Sequence, residues 1–372
     1  MNLELKINPL NNWVNFKQKP LIIAGPCSAE SEEQLMETCR QLLDSKVDVF
    51  RAGIWKPRTR PNSFEGYGEK ALPWVKTVKD ELKVPFTIEV ASPYHIEQAL
   101  KYGIDILWIG ARTTVNPFNV QEIADALKGV DIPVMIKNPI NPDLHLWIGA
   151  IERIYNAGIR NIAAIHRGFS TLQNTKYRNI PTWQIPIELK THLPEIPIIC
   201  DPSHIAGRRD LLMEIAQKAL DLNYDGLMIE SHIDPDNALS DAQQQVTPHR
   251  LKEMLSELKI RIVRDQNEDL EFINHLDELR DQIDNVDREL IEILKRRMAL
   301  VEKACEYKRE NNVTIFQVDR WNEIFRTRSE WAKKMSLNKD FITEVYKLIH
   351  IESIRTQTEV MTIQDIAASV KN

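Results

Sequence analysis

Eight short apolar runs, each too short for a helix, punctuate the first 260 residues: 21–27, 47–52, 85–90, 106–110, 133–137, 161–166, 197–200 and 227–230. Amphipathic stretches lie between them, at 32–43, 96–102, 119–127, 144–156 and 211–220 among others. Strands that alternate with helices must pair in parallel, because a crossover separates each strand from the next. Eight such units in roughly 250 residues match the count and length of a (β/α)8 TIM barrel, an α/β fold. A doubly wound open sheet is the alternative arrangement of the same pieces.

The pattern changes after Leu258. A charged stretch without a strand leads to Leu270, and from there to Asn311 the chain has neither Gly nor Pro. Leu276, Leu279, Ile283, Val286, Leu290, Ile293, Leu294, Met298 and Val301 recur at helical spacing. Some 40 residues make a helix about 60 Å long, more than a compact domain of about 100 residues covers alone. A partner chain is therefore expected. Two more helices are predicted, near 318–334 and 339–359. The expected division is a barrel over 1–260, a linker at 261–269, and an all-α three-helix domain over 270–372.

Composition excludes several classes of function. The net charge of −6 argues against nucleic acid as the main ligand. No apolar run approaches the roughly 20 residues that span a bilayer, and the N-terminus lacks a secretory pattern. Cys27, Cys39, Cys200 and Cys305 are too scattered for a disulfide framework. A cytoplasmic chain with reduced thiols is the expectation.

Barrel chemistry sits at the C-terminal ends of the strands. There the sequence places Cys27, Arg51, Glu89, Arg112, Lys137, His166–Arg167, Asp201 with His204, and Glu230. Cys27, His204 and Glu230, with Asp241 eleven residues beyond, form a mixed thiolate, imidazole and carboxylate set. Such a set suits Mn, Fe, Co or Zn rather than Mg or Ca. A buried structural thiol is the plainer reading of Cys27 alone, and Cys39 and Cys200 are read that way. Arg51, Lys56, Arg58, Arg112, Lys137 and Arg167 put six cations on one rim of an acidic protein. Any one alone reads as a solvated charge, but six converging imply a multiply anionic ligand.

The segments Gly25-Pro26-Cys27-Ser28, Phe50-Arg51-Ala52-Gly53, Lys56-Pro57-Arg58-Thr59, Ile109-Gly110-Ala111-Arg112, Asp201-Pro202-Ser203-His204 and Ser240-Asp241-Ala242-Gln243-Gln244 resemble the 3-deoxy-D-arabino-heptulosonate 7-phosphate (DAHP) synthases over residues 17–260. The resemblance implies a divalent metal on Cys27, His204, Glu230 and Asp241. It implies phosphoenolpyruvate on Arg112, Lys137 and Arg167, with Arg51 and the catalytic Lys56 nearby, and erythrose 4-phosphate on Arg58 and Thr59. Two phosphates and a carboxylate carry about five negative charges, which six cations and a metal can match. The sister family that makes 3-deoxy-manno-octulosonate 8-phosphate shares the barrel but carries a different motif where Lys56–Thr59 stands.

In the helical part, Arg297 and Lys308 lie within about 20° on one helix face, while Arg280 is roughly 25 Å away along the axis. Ser353 and Gln357, four apart, share a face. By themselves these read as solvated polar positions on a bundle. From Arg280 to Gln357 the spacing resembles the all-helical type II chorismate mutases. That resemblance implies roles for Arg280, Arg297, Lys308, Arg320, Ser353 and Gln357 in chorismate binding and rearrangement, and an intertwined homodimer in which Arg280 serves the partner's site. Gln317 and Trp321 stand where the family often has acidic residues, with Glu323 a substitute. The expected function is a bifunctional transferase and isomerase of aromatic amino-acid biosynthesis. The alternatives make the helical part a chorismate- or prephenate-binding regulator, or only a dimerisation module.

Overall fold

The computed structural model describes residues 4–16, 19–56, 64–172, 175–261 and 270–369, with side chains over 275–362 in the last segment. Two compact units divide at residues 263 and 264. The expected linker, 262–269 in particular, lies outside the described residues.

The first unit is a closed barrel of eight parallel strands: β1 (Leu21–Gly25), β2 (Val49–Ala52), β3 (Phe86–Val90), β4 (Ile106–Ile109), β5 (Val134–Lys137), β6 (Ile162–His166), β7 (Ile198–Cys200) and β8 (Gly226–Glu230). Closure comes from β1 on β8, with Leu21 opposite Gly226 and Gly25 opposite Glu230. Around it run α1 (Glu32–Leu42), α2 (Leu72–Leu82), α3 (Pro93–Lys101), α4 (Ala111–Thr114), α5 (Pro117–Ala126), α6 (Leu144–Asn156), α7 (Gln184–His192), α8 (Pro202–Ala206), α9 (Leu212–Asp221) and α10 (Pro248–Glu257). Starts are written locally: Ser31, Ser92, Asn116, Asp143 and Thr247 each cap a backbone N–H of the helix that follows.

Every strand is buried on both faces, and its pleat sorts side chains into two cores. Inside the barrel lie Leu21, Ile23, Val49, Ile106, Trp108, Met135, Ala163, Ile165, Ile199 and Met228, with Leu10 and Val14 in the same cluster. Ile22, Ala24, Phe50, Leu107, Ile136, Ala164 and Leu227 pack outward with the helices. The inward parity, carried to the strand ends, selects Cys27, Arg51, Glu89, Lys137, Arg167, Asp201 and Glu230.

The second unit is α11 (Leu270–Glu310), α12 (Val318–Lys334) and α13 (Lys339–Ser369), with α13 packed on both of the others. The third helix runs past the expected end at 359 because nothing in the following residues breaks it. Ile283, Val286, Leu290 and Ile293 on α11 remain more than half exposed.

Candidate active sites

At the mouth of the barrel, Cys27 Sγ, a Glu230 oxygen and an Asp241 oxygen lie within 4.8 Å of one another. The Cys27 thiol faces Asp241 Oδ2 at 3.3 Å. His204 stands at the edge of this group, its Nε2 3.9 Å from Glu230 Oε1 and its Nδ1 2.8 Å from Asp201 Oδ2. Glu230 Oε1 is buried and has no hydrogen-bond partner among the described residues. A clustered thiol and two carboxylates, one oxygen of them buried without a hydrogen bond, fit a divalent ion of borderline softness.

The cations close around the same point. Arg51, 1% exposed, lies 3.2 Å from Glu230 Oε1 and stacks over Trp108 at 4.9 Å. Lys56 Nζ donates to Cys27 Sγ at 2.6 Å and to its carbonyl at 2.9 Å. Lys137, across the Trp108 ring, pairs with Asp201 at 2.8 Å. Arg167 donates to Asn179 Oδ1 at 2.7 Å. Arg112 is exposed at the start of α4, and its charge reaches Arg167. Arg58 and Thr59 lie outside the described residues.

Burial and charge set the ionisation here. Burial, aided by Glu230, pushes the Cys27 thiol up to about 12 against the pull of Lys56. Burial also works against the Asp241, Glu230 and Asp201 carboxylates. It is outweighed at Asp241 by Arg178, at Glu230 by His204 and Arg51, and at Asp201 by His204 and Lys137, so all three are held below the usual carboxylate range. Burial keeps His204 below its ordinary value and lowers Arg167 to about 10. The mouth is thus an ionised network with acceptors for a cation and donors for an anion. From sequence, Asp201 stands out only as a strand-end residue and Gln244 only within a motif, and Arg178 and Asn179 do not stand out. Strand parity from Ile199 finds Asp201, whereas Arg178 and Asn179 sit in an irregular loop and Gln244 in a single 3-10 turn, none of which carries a periodic signal.

In the helical unit, Arg297 Nη1 donates to Ser353 Oγ at 2.7 Å. Lys308 Nζ donates to the Ile315 carbonyl at 2.6 Å and to Gln357 Oε1 at 3.3 Å. These four residues therefore meet, with Ser353 and Gln357 buried. Arg280 pairs with Asp277 on its own helix at 2.9 Å, and Arg320 with Glu323 at 2.6 Å. Trp321 meets His350 edge to face at 4.2 Å. His350 went unnoticed in the sequence. It lies three and seven residues before Ser353 and Gln357, and its buried Nε2 has no hydrogen-bond partner among the described residues.

Comparisons with known proteins give a family match for each unit. The DAHP synthetase I family model matches residues 9–264, and the chorismate mutase type II model matches 279–358. A phospho-2-dehydro-3-deoxyheptonate aldolase of Thermotoga maritima is 35% identical over 239 residues, covering 64% of this chain and 68% of that protein. A 2-dehydro-3-deoxyphosphooctonate aldolase of Legionella pneumophila is 28% identical over 262 residues, covering 65% and 91%. A crystal structure of the Thermotoga maritima DAHP synthase superposes with a TM-score of 0.58 at 34% identity, over 64% of this chain and 68% of that one. A truncated form of the synthase from the same organism gives 0.56 at 29% identity, over 64% and 84%. The chain belongs to the DAHP synthetase I family and carries behind its barrel a type II chorismate mutase domain, uniting two activities of the shikimate pathway.

Proposed function

We propose that the barrel mouth joins phosphoenolpyruvate to erythrose 4-phosphate with a divalent metal held by Cys27, His204, Glu230 and Asp241. The observation that carries this is the convergence of Cys27, Glu230 and Asp241 beside a ring of buried cations. When bound, the ion supplies Lewis acidity to the aldehyde; Mn, Fe, Co and Zn all suit the donor set. Arg167, Lys137, Arg112 and Arg51 grip the phosphate and carboxylate of phosphoenolpyruvate, whose carbon 3 attacks the aldehyde. Water adds at carbon 2, and phosphate leaves from that carbon. Lys56 stays close to the thiol, while Arg58 and Thr59 take the phosphate of the aldose. Chelation should abolish DAHP formation and Mn should restore it. Cys27→Ala should lose the metal and keep the fold. Full activity of a rigorously metal-free preparation sinks the reading.

The helical domain rearranges chorismate to prephenate. The reaction is pericyclic and needs no nucleophile. Arg280, Arg297 and Arg320 hold carboxylates, Ser353 fixes Arg297, and Lys308 with Gln357 stabilises charge on the ether oxygen. Two chains interleave their long helices, and each site borrows Arg280 from the other. Gln317 and Trp321 favour a second reading, in which the domain binds chorismate or prephenate as a regulator, since Glu323 is already paired with Arg320. A mutase assay on the whole protein separates the two. Among the described residues no helix is long and apolar enough to cross a membrane. The four cysteines are buried and free, in keeping with work in the cytoplasm.

A further inference from the structure

Residues 175–180 return along the barrel mouth toward α7, and Arg178 on that return touches the supports of both carboxylates. Its Nη1 donates to Asp241 Oδ1 at 3.0 Å and to Gln244 Oε1 at 2.7 Å. The amide nitrogen of buried Gln244 donates in turn to Glu230 Oε2 at 2.6 Å. Each carboxylate thus has one oxygen tied. The other is turned to the site: Asp241 Oδ2 toward Cys27 Sγ, and Glu230 Oε1 toward Arg51 at 3.2 Å, with no hydrogen bond among the described residues.

The position of Arg178 is built into the backbone. Its N–H donates to the Ala206 carbonyl at 3.2 Å, and that of Asn179 to the Ile205 carbonyl at 3.2 Å. Phe169 and Ile180 exchange both backbone hydrogen bonds at 2.8 Å. The Asn179 side chain accepts from Arg167 and donates to the His204 carbonyl at 2.6 Å. Gly207, at φ +69°, lets the strip approach this closely, because a Cβ there would sit 2.4 Å from Arg178 Cβ. The Arg178 side chain is 45% exposed, yet its guanidinium is anchored on Asp241 and Gln244.

We infer that Arg178 is a positioning residue of the metal centre, orienting Asp241 directly and Glu230 through Gln244. The inference rests on the metal reading above. A carboxylate that rotates freely must be ordered when the ion arrives, whereas one with an oxygen already tied presents the other in place. Loss of such a partner costs typically 10–100-fold in metal affinity.

The test titrates the metal-free, full-length protein directly, without substrates. Mn affinity is measured by competition, and Cd is followed through thiolate-to-metal absorption. Arg178→Ala and Gln244→Ala should each bind Mn about 10–100-fold more weakly than the unsubstituted protein, and Arg178→Lys should fall between. At saturating Mn, Arg178→Ala should keep its KM for phosphoenolpyruvate, which general damage to the mouth would raise. Thermal unfolding checks the fold of each variant, and Gln244→Ala carries the test should Arg178→Ala not fold. Mn and Cd binding by Arg178→Ala as tight as in the unsubstituted protein overturns the inference alone, provided that Cys27→Ala abolishes binding. No Cys27-dependent binding in the unsubstituted protein overturns the metal reading along with it.

Discussion

Arg51, Lys137, Arg167, Asp201 and Glu230 are ions with almost no exposed surface. Each forgoes hydration at a cost of several kcal/mol, and their mutual pairing often only breaks even. Such a cluster serves binding better than stability. If the Lys56–Thr59 segment selects the aldose, as proposed, Arg58→Ala should raise the KM for erythrose 4-phosphate far more than that for phosphoenolpyruvate. Steady-state kinetics with each substrate varied would show it, and equal effects would refute the assignment. His166 makes a different prediction. It faces outward from β6, donates from Nε2 to the Pro181 carbonyl at 2.6 Å and accepts at Nδ1 from the Tyr224 hydroxyl at 3.0 Å. Burial holds its pKa at about 3, so the folded barrel keeps it neutral. The unfolded chain takes up that proton near pH 6.5. Between those values the unfolded state binds more protons, so stability rises with pH, by up to about 1.4 kcal/mol per unit from this group. Acidifying from pH 6.5 to 4.5 should lower the urea midpoint of the barrel, and His166→Gln should flatten that slope. The inward residues were legible because strand parity is a two-residue rule. Arg178 and His350 were not, because one sits in an irregular loop and the other looks like any polar residue on a helix face.

At the scale of elements, the strands were the easiest part to read. Buried parallel strands are continuous apolar runs, and their ends moved by only a residue or two. Helix α6 matched its amphipathic stretch at both ends, as Asp143 caps one and the tight turn at Gly158 follows the other. The short α4 and α8 have too few residues to show a period, and their starts are set by the strand ends before them. The long α11 poses the sharper question. Arg280 sits on it far from Arg297 and Lys308, and forms only a surface pair with Asp277. If two chains share each site, Arg280→Ala and Lys308→Ala chains should each have little mutase activity alone. In a co-folded mixture, one site of every heterodimer carries both defects and the other carries neither. About a quarter of all sites should then recover in a random mixture of twofold-symmetric dimers. A mixture as inactive as its parents refutes the shared site.

At the scale of the whole molecule, one polypeptide holds an early step of a pathway and a later one. A domain that binds chorismate or prephenate gives the synthase a direct means of sensing supply. Saturating prephenate or chorismate should inhibit DAHP formation, and Arg297→Ala should relieve that inhibition. The required coupling is about 1–3 kcal/mol between liganded and free states. Unchanged synthase rates at saturation exclude it. The two units also differ in how far they cover their own apolar surface. The barrel buries its own core within one chain, whereas α11 leaves Ile283, Val286, Leu290 and Ile293 uncovered. If a second chain covers that face, mass action governs the helical unit. Its melting temperature should climb with each tenfold rise in protein concentration while that of the barrel stays fixed. Dilution alone would then silence the mutase and leave the synthase barrel folded.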